Sequence, residues 1–344
     1  MTDSTLRLPA EWEPQAAVLI AWPHNDTDWA ERLEAVETTY VALAAAVTRF
    51  QPLIIVVAGE TLRAHVMGKL QGVGADLTRI RFVELPYDDT WLRDSGPITL
   101  RSADNRFQLT DFQFTGWGGK FGAEQDDALI AGLVDAGVFG SAAHKRIDWA
   151  LEGGGIESDG EGTILTTWRC LVQRHPEQSR EEMSAILRES LHAQRVLWLD
   201  YGYLEGDDTD AHIDTLARFA PGHRIVYQAC DDASDAHYDE LKRMGEELAA
   251  LRTADGKPYT LYPLPWAKPI VDEGRRLAAS YANYLIVNGA VLVPAYGDAA
   301  DDEAAHIIGE AYPERIVVQV PCRPLIWQNG SLHCITMQLP AGLV

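Results

Sequence analysis

Cys334 sits in the stretch 329–340, NGSLHCITMQLP, where a thiol, a hydroxyl and an amide alternate with apolar residues. As a strand, this stretch places Cys334, Thr336 and Gln338 on one face and His333, Ile335, Met337 and Leu339 on the other. Such a polar face suits the wall of a site better than a core. A lone cysteine, however, is more often a small buried hydrophobe than a nucleophile, so chemistry at Cys334 needs partners.

Three loops supply candidates. The first, 86–97 (PYDDTWLRDSGP), is bounded by prolines and holds Asp88, Trp91 and Asp94. The second, 151–167 (LEGGGIESDGEGTILTT), has three glycines behind Glu152. It contains no GxxxxGK[ST] or helix-opening GxGxxG pattern, so the glycines read as a tight turn presenting Glu152 and Glu157. The third, 206–219 (GDDTDAHIDTLARF), carries His212 and Asp214 two residues apart, hence on one face of a predicted strand.

Taken alone, the third loop has several readings. His-x-Asp with Asp207, Asp208 and Asp210 nearby is a mixed metal-donor set. A solvated acidic turn is the commoner fate of such a run. A calcium loop fails because Ile213 stands where a glycine is required. Taken together, the loops favour different chemistry. Asp94 and Asp214 can each accept paired N–H bonds from a planar guanidinium. The Cys334 thiolate can attack its central carbon, and His212 can deliver a proton to departing ammonia. That reaction needs no metal and no organic cofactor.

The rest of the chain must position these groups. With 47% hydrophobic and 9% aromatic residues, the 344-residue chain can bury a substantial core. Its 51 acids outnumber 29 lysines and arginines, for a formal charge of −22, which argues against nucleic-acid binding and suits a cationic substrate. The four cysteines form no CxxC pair, the start shows no signal-peptide pattern, and no apolar run is long enough to span a bilayer. A cytoplasmic enzyme is the expectation.

Buried strands are predicted over 16–22, 53–58 and 80–85, with helices over 33–50 and 61–70 between them. Further helices are predicted over 125–138, 176–193, 234–251 (capped by Ser234 or Asp235) and 301–312. Strands are expected over 163–168, 195–199, 224–228, 260–264, 281–287, 290–293, 315–320 and 332–339. Strands and helices alternate without a linker, which predicts one α/β domain over 1–344.

At these residues the sequence resembles the agmatine deiminase family, within a wider guanidine-modifying superfamily. The likeness runs through WEPQAAVLIAWPHN, TWLRDSGP, GWGGKF at 116–121, LEGGGIESDGEGTILTT, GDDTDAHID, ASYANYLIVNGAVLVPAYGD at 279–298, and LHCITMQLP. It implies a five-bladed α/β-propeller of the pentein type around a central site. It also implies Cys334 as nucleophile, His212 as general acid and base, Asp94 and Asp214 as the guanidinium clamp, and Glu152 beside His212. Trp91 would pack on the substrate's alkyl chain, and Trp117 could help close the site. The implied reaction converts agmatine to N-carbamoylputrescine and ammonia through a covalent thiouronium, within putrescine synthesis. Peptidyl-arginine or free arginine are alternative substrates. An acid is expected at the substrate's distal amine, with Asp88, Asp207 and Glu157 as candidates. A homodimer is the default assembly.

The sequence departs from the family at Ala211, where glycine is usual before His-x-Asp, and at Asn329-Gly330, where Gly-Gly is usual. Two other readings compete with the cysteine mechanism: a metal-dependent amidohydrolase built on His212 and Asp214, and a non-catalytic polyamine binder. Cys170 and Cys230 read as core, Cys322 lacks an obvious base, and His333 reads as pointing away from Cys334.

Overall fold

The run Leu53–Val57 (LIIVV) is buried along its whole length, as a strand covered on both faces must be. It lies parallel to Gln15–Ala21 on one side and to Ile80–Glu84 on the other. Met337–Pro340 pairs antiparallel with the outer edge of Gln15–Ala21, with Val18 opposite Gln338. The computed structural model describes residues 5–344.

Four more sheets follow one plan, an antiparallel pair and then a parallel third strand. They are Ile98–Arg101, Phe107–Gln113 and Ala143–Ala150; Ile156–Ser158, Thr163–Thr167 and Arg195–Leu199; Ala217–Ala220, Arg224–Gln228 and Thr260–Leu264; and Leu285–Val287, Ala290–Ala295 and Ile316–Pro321. Met337–Pro340, Gln15–Ala21 and Leu53–Val57 repeat the plan, so the last strand completes the first unit. A parallel neighbour requires a crossover, and helices supply it between the second and third strand of each unit. Tyr238–Ala250, for example, buries Leu241, Met244 and Leu248 along one stripe. Arg180–Leu191 starts at a capping box formed by Ser179 and Glu182.

Three expected strands differ in ways that matter. Residues 329–336 are turn and loop, with only Met337–Pro340 extended as a strand. The Cys334 amide turns to Asn283 Oδ1 at 3.3 Å, its carbonyl accepts from the Arg93 amide at 3.1 Å, and the Thr336 amide returns to the His333 carbonyl at 3.0 Å. His212 caps a short 3-10 turn, Ile213–Thr215, and is not on a strand. The strand expected over 281–287 is only Leu285–Val287, because Ser280 and Asn283 direct their polar groups to the site. The helix expected from Ser234 starts at Tyr238; Asp235 instead holds Arg276 and Trp266. No helix among the described residues is long and apolar enough to cross a membrane.

Candidate active site

The site converges on Gly154. A Cβ there would fall 2.6 Å from His212 Nδ1, 2.8 Å from Asp94 Oδ1 and 3.2 Å from Asp214 Oδ2. Only glycine leaves these three side chains room to meet. The turn Gly153–Gly155 packs against the helical turn Leu92–Ser95, which carries Asp94, and against Ile213–Thr215.

Asp94 is fixed through both oxygens. Oδ1 accepts from the Gly154 amide at 2.9 Å and Oδ2 from the Trp117 indole N–H at 2.8 Å. Trp117 reaches it from a left-handed backbone (φ 56°, ψ 48°), a costly conformation for a bulky residue. Phe114 and Phe121 hold the indole by edge-on contacts. Burial, helped by the Asp214 and Glu152 charges and opposed by His212, raises the Asp94 carboxyl to about 6.

His212 is fully buried between two acids. Its Nδ1 lies 3.6 Å from Asp94 Oδ1 and its Nε2 3.5 Å from Glu152 Oε2. These are charge contacts too long for hydrogen bonds, and neither ring nitrogen has a hydrogen-bond partner. Burial disfavours the imidazolium, but Asp94, Cys170 and Glu152 outweigh it and hold the pKa well above the ordinary histidine value. Glu152 Oε1 accepts from Arg174 Nε at 2.7 Å, leaving Oε2 without a partner. Burial pushes Glu152 up, yet His212 and Arg174 keep it below the usual carboxylate range.

Asp214 Oδ2 lies 2.8 Å from His333 Nδ1, while Oδ1 is buried and unpartnered. Cys334 Sγ is 3.6 Å from Asp214 Oδ2 and 3.2 Å from Asn283 Nδ2. Burial, then the Asp214 and Asp94 charges, push the Cys334 thiol well above its ordinary pKa.

Cys334 and Asp94 open onto a cavity of about 450 Å³ that Trp91 and Trp117 also line. Gly330 lies flat on the Trp91 ring; a Cβ there would come within 2.1 Å of it. Asp28, Asp88, Asp89, Asp126 and Asp208 line the same cavity. Burial raises Asp89 and Asp126 to about 7, with neighbouring aspartates adding to it. The one basic lining residue, Arg275, is engaged by Asn329 and the Trp327 carbonyl.

The distal acid candidates are placed differently from one another. Asp88 lines the cavity, although both of its oxygens accept from Gln125, each at 2.8 Å. Asp207 closes its own turn by accepting from the Thr209 amide and hydroxyl and from the Ala211 amide, so Asp208 takes its place at the cavity wall. Glu157 is bound to Arg218 and to the Phe219 amide. Asp210 pairs with Arg174 at 2.6 Å and Lys120 at 2.7 Å. The alternative metal set weighed at His212 and Asp214 is not brought together. Among the described residues, the group of potential ligands containing His212 adds Glu152 and Cys170, not Asp214.

Several participants escaped sequence reasoning. His333 is fully buried and faces the same centre as Cys334, because the non-strand backbone removes the expected alternation. Its Nε2 lies 2.8 Å from Glu11, and Glu11 also binds Arg218 at 2.6 Å and Arg93 at 3.1 Å. Arg174, Asn283 and Cys170 join the site from 168–174 and from the 279–298 motif. The one available signal was that each lies in or beside a segment carrying the family resemblance. The two family departures both fall on left-handed backbone, with Ala211 at φ 72° and Asn329 at φ 74°.

Comparison with known proteins identifies the family. The family model for Porphyromonas-type peptidyl-arginine deiminases matches residues 7–340. An agmatine deiminase of Stutzerimonas stutzeri (strain A1501) is 33% identical, over 98% of this chain and 96% of its own. Among solved structures, a Porphyromonas gingivalis protein provisionally assigned as an arginine deiminase is 46% identical with a TM-score of 0.92, covering 99% of this chain and 100% of that one. An agmatine deiminase of C. jejuni carrying a cysteine-to-serine substitution, solved with substrate bound, is 32% identical with a TM-score of 0.91, covering 99% and 98%. With the family model spanning nearly all of the chain and the α/β fold shared with solved deiminases, this protein belongs to the Porphyromonas-type peptidyl-arginine deiminase family.

Proposed function

We propose that this protein is a cysteine-dependent deiminase that hydrolyses agmatine to N-carbamoylputrescine and ammonia. The observation that carries the reading is a set of buried acceptors with nothing to accept from. Asp214 Oδ1 and Glu152 Oε2 have no hydrogen-bond partner, and Asp214 Oδ2 lies 3.6 Å from Cys334 Sγ. Unpaired buried polar atoms are costly, and a guanidinium offers N–H donors in a plane that would satisfy them. The agmatine deiminases at 31–33% identity support the same activity.

In this reading Asp94 and Asp214 hold the guanidinium. Burial and the two carboxylates keep the Cys334 thiol protonated; the guanidinium's positive charge offsets the carboxylates, so the thiol gives its proton to solvent and the thiolate forms beside its target. Sulfur adds to the guanidine carbon, and the C–N bond breaks as His212 gives the leaving nitrogen a proton to make ammonia. Water, deprotonated by His212, then adds to the thiouronium carbon, and the C–S bond breaks to release the ureido product and the thiol. Trp91 and Trp117 flank the alkyl chain. The acidic wall suits an ammonium tail better than a carboxylate.

The arrangement proposed around this site is a five-bladed propeller within one catalytic domain over 1–344, and its support is the connectivity common to five sheets. A cytoplasmic setting is part of the same reading. Arginine or an arginyl peptide is the second substrate reading, favoured by the 46% identity to the provisionally assigned arginine deiminase. Ureido-product formation from agmatine, arginine and an arginyl peptide, measured side by side, tests the choice. Agmatine should lead in kcat/KM by at least about tenfold, roughly the effect of one unpaired charge in a site. Equal or greater turnover of arginine overturns the assignment.

A further inference from the structure

Cys170 is a second buried thiol that the deiminase reaction does not use. Its sulfur, a Glu152 oxygen and a His212 nitrogen all lie within 4.8 Å of one another. The three come from separate segments, with Cys170 on the helix Trp168–Arg174, Glu152 before the glycine turn and His212 before Ile213–Thr215. Glu152 Oε2 and His212 Nε2 are both buried, both without hydrogen-bond partners, and 3.5 Å apart. Tetrahedral zinc with bonds of about 2.0–2.3 Å sets neighbouring ligand atoms about 3.3–3.7 Å apart. The nitrogen–oxygen pair already has that spacing, and the sulfur needs a shift of at most about 1 Å to reach it.

We propose that this triad is an inhibitory site for Zn2+, or a similar thiolate-seeking divalent ion, whose occupancy switches off the enzyme. The inference rests on the deiminase reading above, because it supplies the reason that losing His212 stops turnover. A thiolate, an imidazole and a carboxylate form a zinc-type donor set that magnesium and calcium do not favour. On binding, the Cys170 thiol and the His212 imidazolium each release one proton to solvent, and a metal on Nε2 keeps the ring from regaining the imidazolium form that gives up a proton. The two ligand charges, Cys170 thiolate and Glu152, balance the ion. Arg174, 2.7 Å from the other Glu152 oxygen, limits affinity, which favours a reversible inhibitor over a permanent structural ion. Three protein ligands leave a fourth position for water.

Cobalt and zinc titrations of the full-length protein separate this site from the nucleophile. In Cys334→Ala, Co2+ should still give thiolate-to-metal charge-transfer absorption at one equivalent, and Cys170→Ala/Cys334→Ala should lose it. In the active protein, buffered Zn2+ should inhibit turnover, and Cys170→Ala or Cys170→Ser should raise the half-inhibitory Zn2+ concentration, measured against each variant's own metal-free rate, at least about tenfold. Absorption that disappears in Cys334→Ala, or inhibition unchanged in Cys170→Ala, places the metal on Cys334 and overturns the proposal. The cobalt arm needs no turnover, so a failure of the deiminase reading alone would leave it intact.

Discussion

His333 Nδ1 sits 2.8 Å from Asp214 Oδ2, joining residues 119 positions apart beneath the nucleophile. Its other nitrogen meets Glu11 at 2.8 Å, so an imidazole is held between two carboxylates. One of them, Asp214, belongs to the proposed guanidinium clamp. His333 acts through Asp214, as an orienting residue and not a reacting one.

His333→Asn should therefore lower kcat/KM by about 10–100-fold, the usual cost of removing an orienting partner. Glu11→Gln should have a smaller effect in the same direction, and the two together should not add, since they act on one chain of contacts. Independent, additive losses would show that His333 serves the fold and not Asp214.

Asp94 gives the pH profile its acid side. In the proposed mechanism the clamp works as a carboxylate, and burial raises this carboxyl to about 6. On lowering the pH, kcat/KM should fall through that region as Asp94 takes up a proton. Trp117→Phe removes an indole N–H that stabilises the carboxylate, so the fall should move to higher pH. A profile unmoved by that substitution would exclude Asp94 as its origin.

The cavity acids also couple to stability. Asp126 has a folded-state pKa near 7 against an unfolded value near 3.8, so the folded form binds the extra proton between those pH values. Its stabilising contribution is complete below about 4 and is lost as the pH rises through about 7. Asp126→Asn should flatten this part of the curve, making the variant relatively more stable than the parent at pH 8 than at pH 5. Denaturant titrations across the range, without substrate, check the sign.

Arg174 and Glu152 are both about 1% exposed and form a buried ion pair that also reaches Asp210. Arg174→Met strands Glu152 in the interior, while Asp210 keeps its pairing with Lys120, and should cost about 3–5 kcal/mol of stability. It should also release Glu152 to swing toward His212, lowering kcat more than it raises KM. A midpoint shift under about 1 kcal/mol would mean that water replaces the guanidinium there.

Much of this molecule was legible in its sequence, for physical reasons that differ by segment. Buried strands such as Leu53–Val57 announce themselves by unbroken β-branched runs, and helices such as Tyr238–Ala250 by their apolar stripe. Ala143–Ala150 does not, because its polar, largely exposed side chains carry no burial pattern. Cys334, His212, Asp94, Asp214 and Glu152 were singled out by chemistry and by likeness, and the geometry gathers all five around Gly154 and the Cys334 sulfur. His333 was missed because alternation holds only where backbone groups pair across a sheet. The amides around Cys334 bond to a side chain and to turns instead.

The pairing of Met337–Pro340 with Gln15–Ala21 has a consequence for synthesis. A ribosome delivers Gln15–Ala21 long before its outer partner Met337–Pro340. Until then, the edge of Gln15–Ala21 stays open and Cys334, three residues ahead of the closing strand, has no seat. Contacts spanning nearly the whole chain form slowly. The proposed nucleophile therefore takes its seat only after the proposed clamp residues and proton carrier have been made.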